Sequence, residues 1–177
     1  METATTVVKR PEVLTKTVQG RRVLHFEKLD DILDEADRLV LRGEPRALGN
    51  WSAGAVFMHL AQSCEYSIHG PTPRIAFWKR LLGRLAKKRV LRGPFPTGVK
   101  LPKAMADKII FPDAQADESL KALHAAIKNL KRTPIRVEHP FIGKLTRDEW
   151  DQFHLRHAEH HLGFLIPAES PSEILRR

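Results

Sequence analysis

Leu145 to Leu165 reads LTRDEWDQFHLRHAEHHLGFL and holds four of the chain's nine histidines, His154, His157, His160 and His161. Its start is marked as a helix start. Thr146 can cap, and Glu149, three residues on, completes a capping box. Leu145 and Trp150 are placed to staple across that cap. At about 100° per residue, Trp150, His154, His157, His161 and Phe164 fall on one face, with His160 at its edge and facing solvent. Glu159 points outward. The histidines therefore occupy the stripe that should face the interior, with the apolar positions Trp150, Phe153, Phe164 and Leu165 around them.

One histidine in a core is ordinarily a hydrogen-bonded structural residue. Several on one inward stripe are harder to satisfy, because each neutral imidazole needs both a donor and an acceptor placed. His157 and His161 are four apart and so are neighbours on the helix surface. That spacing lets two rings converge on one divalent ion. The pattern is HxxxH, not HExxH. Ala158 stands where a metalloprotease needs its general base, and the glutamate comes one position late. A zincin-type protease is excluded.

Outward from this stretch, 177 residues suit one domain with an appendage. A single cysteine, Cys64, rules out an intrachain disulfide and fits a reducing cytoplasm. No apolar run reaches the ~20 residues of a membrane span, and METATTVVKRPEV lacks the apolar core of a leader. Lys and Arg number 30 against 21 acids, a net charge of +9. The excess is local. Between Tyr66 and Ala106 there is no acid, and ten basic residues lie there: Arg74, Lys79, Arg80, Arg84, Lys87, Lys88, Arg89, Arg92, Lys100 and Lys103.

The remaining organisation is helical. A first helix is expected over about 26–41, with Leu29, Ile32, Leu33, Ala36 and Val40 as a narrow apolar stripe and Asp30, Asp31, Asp34, Glu35 and Asp37 on the solvent side. A second, over about 51–68, is capped by Asn50 or Ser52. It sets His59 among Ser52, Ala55, Val56, Ser63 and Tyr66, a small and partly polar face that leaves room for a ligand, or else packs a histidine bonded to Ser63 or Tyr66. Cys64 lies off that face as a small buried residue rather than a nucleophile. A basic amphipathic helix over about 75–91 presents Ile75, Trp78, Leu81, Leu82 and Leu85 as its apolar side. A long Gly- and Pro-rich segment follows. A further helix over about 114–132 turns Leu120, Leu123, Ile127 and Leu130 inward, with His124 structural at the border. His139, before Pro140, is extended and stabilises a turn. Only 21–26 and 135–138 suggest strands. There is no P-loop, GxGxxG, CxxC pair or internal repeat.

Three motifs, NWSAGAVFMHLAQS, HPFIGKLTRDEW and HLRHAEHHLGF, resemble the DinB/YfiT-like superfamily of metalloenzymes, in a branch catalogued as a domain of unknown function. The resemblance spans about 26–165. It implies an all-α fold, a four-helix bundle, with the basic helix and long loop inserted between its second and third helices. It also implies a metal held by three histidines: His59 from the second helix and His157 and His161 from the last. The superfamily often closes the last motif with a glutamine, which is missing here. It further implies thiol-dependent S-transferase or isomerase chemistry, and water acidified on such a metal adds hydrolase chemistry.

These readings combine into a domain over 23–166, preceded by a flexible arm over 1–22 and followed by a tail over 167–177. Three imidazoles leave open positions on zinc, nickel, iron or copper. His154, one turn before His157, is the candidate for acid–base catalysis, unless it is a fourth ligand or a partner of one. The substrate is expected to be a small molecule, anionic or a thiol, with a homodimer left open. The competing expectation is a non-catalytic module that uses the basic 74–103 segment on nucleic acid or anionic surfaces. Sparse aromatic interleaving disfavours single-stranded nucleic acid.

Overall fold

A computed structural model describes residues 12–70, 77–98, 111 and 114–169, excluding the side chains of 77–80. Arg74, Ile75, Trp78, Lys79, Arg80, Lys100 and Lys103 lie outside this description, as do the arm before Glu12 and the tail after Glu169. The described chain is mostly helical. After a 3-10 turn at Thr15–Thr17 come α1 (Leu29–Val40), β1 (Arg46–Ala47), α2 (Ala53–His69), α3 (Phe77–Arg92), α4 (Ala116–Arg132), α5 (Arg147–Leu162) and β2 (Leu165–Ile166).

Local chemistry sets the helix ends. Ser52 Oγ accepts from Ala55 N and starts α2. Thr146 Oγ1 accepts from Glu149 N at 3.2 Å, and Glu149 accepts from Thr146 N at 2.9 Å, closing the expected capping box of α5. The Asp31 carboxylate accepts from the backbone N–H groups of Glu27 and Lys28 at the start of α1.

The most extensive helix pair is α2 with α4. Close approach begins at Gly54, where a Cβ would stand 2.0 Å from Ala114 O. Helix α5 touches α1, α2 and α3, and α1 touches α4. The main core joins Ile32, Ala36 and Leu39 of α1 to Phe57 and Leu60 of α2, Leu123, Ile127 and Leu130 of α4, and Leu155 and Leu162 of α5. A smaller cluster of Ile142, Trp150 and Phe153 packs with Val90, Leu91 and Phe95. Burying a large aliphatic side chain contributes roughly 1.5–3 kcal/mol, so the first cluster dominates stability.

The strands lie elsewhere than expected. Neither 21–26 nor 135–138 is a strand. The only sheet among the described residues pairs Arg46 with Ile166 and Ala47 with Leu165, antiparallel. The 21–26 segment instead spends its hydrogen bonds on α5. Arg22 N donates to Gly163 O, and Phe26 N to Glu159 Oε1 at 2.6 Å.

Two acids expected at the surface are covered. Glu35 is buried and accepts from Arg22 at 2.5 Å and Arg38 at 2.9 Å. Arg22 also donates to Leu162 O, a carbonyl that the end of α5 leaves open, and to Leu165 O in β2. Glu159 does point away from the histidine face. It meets Phe26 N and the buried Arg156 at 2.7 Å rather than water. The apolar side of α3 is a further departure. Leu81, Leu82 and Leu85 are exposed at 50%, 58% and 76%. The helix turns Gly83, Ala86 and Val90 toward the protein instead.

Candidate metal centre

Three imidazoles from two helices meet beside the main core. His59 comes from the middle of α2, where Ala55, Ala61 and Ser63 keep the surroundings small. His157 and His161 come from successive turns of α5. His157 Nε2 lies 3.0 Å from His59 Nε2 and 3.0 Å from His161 Nε2. The rings are mutually tilted by 62–78°. They are arranged around a common point rather than stacked on one another.

These contacts are poor hydrogen bonds taken together. A ring nitrogen carries either one proton or one lone pair in its plane. His157 Nε2 can therefore satisfy one neighbour but not both. A shared cation satisfies all three. Two imidazole nitrogens on one ion, each at about 2.0–2.1 Å, stand about 2.8–3.4 Å apart for angles between octahedral and tetrahedral. The observed separations match, and one nitrogen from each ring lies within 4.8 Å of the others. The three residues can hold a divalent metal ion.

The surroundings favour neutral rings. Burial first, and then the neighbouring histidines His59 and His154, hold His157 well below the ordinary imidazole range. His161 is lowered in the same way, by burial and then by His157 and His59. A neutral imidazole is the form that binds a metal. Ser63 Oγ lies 3.3 Å from His157 Nδ1. A hydroxyl accepting the Nδ1 proton fixes the tautomer that presents Nε2 inward.

Aromatic rings wall the site. Trp51 stacks on His161, centroids 5.1 Å apart and planes 2° from parallel, and meets His59 edge-on at 4.8 Å. Phe95, from the segment after α3, lies 5.5 Å from the His157 ring. Both were missed in the sequence. Trp51 precedes the Ser52 cap and lies off the helix, so helical spacing gives it no readable signal. Phe95 had none either, because it arrives from a segment with no periodicity.

The other histidines fall outside the trio. His154 is buried, with Nε2 3.2 Å from Ser67 Oγ and Nδ1 3.9 Å from Cys64 Sγ. Burial, with Arg136 and His139 nearby, pushes it down to about 3. His160 does not face solvent. It is half-buried, with Nδ1 3.2 Å from Phe95 O, and is lowered to about 4 by burial and Arg21. His139 Nδ1 accepts from the backbone N–H groups of Phe141 and Ile142, the turn-stabilising role expected of it. His124 pairs with Asp37 at 2.8 Å. Cys64 is buried, with its thiol pushed up to about 12, which is inert at neutral pH.

Residues 18–168 match the model of a family described as "Protein of unknown function (DUF1569)", and the chain belongs to that family. No curated protein and no solved structure matches it.

Proposed function

We propose that this member of the DUF1569 family is a metal-dependent enzyme of the DinB/YfiT type, in which α1, α2, α4 and α5 form a four-helix bundle around a trihistidine centre. The observation that carries this reading is the pair of 3.0 Å contacts at His157 Nε2, one to each of two other imidazoles. His59, His157 and His161 would hold the ion. A divalent metal with three neutral nitrogen ligands supplies Lewis acidity to a water or a thiol at its open positions. Hydrolysis or thiol transfer of a small anionic or thiol substrate follows from that chemistry.

The chain's own residues have definable parts in this. Trp51 and Phe95 hold the imidazoles in place and exclude water. Ser63 sets the His157 tautomer. His154 is the remaining candidate for proton transfer. Its two ring nitrogens face Ser67 and Cys64, so it would have to release one of them to act. Its contacts with Ser67, Cys64 and the Trp150 ring favour a positioning role in packing the helix one turn before His157.

The competing reading, a non-catalytic module working through 74–103, leaves three converging buried nitrogens without a purpose. Elemental analysis of the purified protein separates the two. The expected result is one divalent ion per chain, lost in His157→Ala and retained in His154→Gln. Protein free of divalent metal under every metal supply would end the proposal. Loss of the ion in His154→Gln would instead bring that residue into the ligand set.

A further inference from the structure

Helix α3 is mounted with its large side chains outward. Its inner side carries Gly83, Ala86 and Val90. A Cβ on Gly83 would stand 2.0 Å from Phe141 O, so the turn after His139 seats directly on the helix backbone there. Lys87 pairs with Glu149 at 2.7 Å and donates to Lys144 O. These contacts fix the roll of the helix, and Leu81, Leu82 and Leu85 cannot turn inward without breaking them.

The outer face is apolar and cationic together. At about 100° per residue, the three leucines span a third of the helix circumference. Arg84 and Lys88 flank one side, and Arg89 and Arg92 lie among the leucines. All four cations are exposed. No carboxylate pairs with them among the described residues. Three occupants are conceivable, and the chemistry separates them. A second copy docked face to face would set four cations against four cations. Nucleic acid would meet the charges but give the leucines nothing to bury against. An anionic lipid surface meets both, taking aliphatic side chains at the acyl boundary and cations among the headgroups.

We propose that the outer face of α3 is a docking surface for an anionic bilayer, with Leu81, Leu82 and Leu85 entering the interface and the surrounding cations meeting headgroup charge. No helix among the described residues is long and apolar enough to cross a membrane. It stands independently of the metal centre.

Co-sedimentation of the full chain with vesicles tests this, comparing pure phosphatidylcholine with phosphatidylcholine containing phosphatidylglycerol. Binding is expected only to the anionic vesicles and should weaken with salt. Leu82→Glu with Leu85→Glu should lower the partition coefficient about tenfold or more, and Arg89→Glu with Arg92→Glu similarly. Both pairs are at the surface, and unchanged circular dichroism would show that the fold is intact. No binding to anionic vesicles overturns the proposal. So does equal binding to neutral vesicles, binding of duplex DNA in preference to vesicles, or self-association abolished by the leucine variants.

Discussion

Helix α5 carries two buried polar clusters built on opposite rules. On one side, Arg156 and Glu159 pair with each other and with the backbone of Phe26, while Arg22 ties the helix end to Glu35. Cations and carboxylates there answer one another within the chain. On the other side, His157 and His161 share their face with His59, and the three can converge on one ion. The first cluster pairs its charges within the fold, though Arg156 Nε is buried with no acceptor. The second sets three ring nitrogens about one point, and His157 Nε2 cannot bond to both neighbouring imidazoles at once. Buried polarity that closes serves the fold, and buried polarity left open is the mark of a site.

The comparison can be broken from the closed side. Arg22→Ala leaves Glu35 with Arg38 alone and strips partners from Leu162 O and Leu165 O. Losing one partner of a buried pair costs about 3 kcal/mol, so a large fall in the urea midpoint is expected. A fall under about 1 kcal/mol would mean that the ionic cluster is ornamental.

Acid acts on the other side. Burial holds His154 near 3 and His139 near 4 in the folded chain, against 6.5 for a free imidazole. The unfolded chain therefore takes up protons first as pH falls below 6.5. Stability contributed by these rings is present above that pH and is lost progressively down to pH 3–4, by about 1.4 kcal/mol per pH unit for each ring. The melting temperature of the metal-free protein should hold steady from pH 8 to 7 and decline below 6.5. His139→Gln should flatten that decline.

Histidine replacement should separate stability from binding. In His161→Ala the metal-free protein loses about 1 kcal/mol, mostly the contact with Trp51, while zinc binding measured by calorimetry disappears. A metal-free variant destabilised as much as Arg22→Ala would place the trio among the closed clusters. The smallest change sharpens the contrast. Ser63→Ala should leave the unfolding free energy from urea titration within about 0.5 kcal/mol and weaken zinc binding about tenfold, by freeing the His157 tautomer.

What the sequence made legible was local. The capping box at Thr146 and Glu149 and the four-residue step from His157 to His161 are signals held within one or two turns, and the structure reproduces both. The small face around His59 was also readable. What escaped was set by partners remote in the chain. Glu35 resembled any solvent-facing acid of an amphipathic helix until Arg22, from outside that helix, covered it. The leucines of α3 resembled a core stripe, because periodicity reports that a helix is amphipathic and not which face it docks. Gly83 decides that here, through a contact with Phe141 that no spacing rule encodes.

The rings of His59 and His157 stand 98 positions apart in the chain. During synthesis, α2 emerges long before α5 exists. His59 then waits as a lone imidazole, with a weak grip on any ion it meets. Capture becomes cooperative only once α5 has packed and its two rings have arrived together. An ion held by this trio would enter at the end of folding, and a truncated or stalled chain would lack the site.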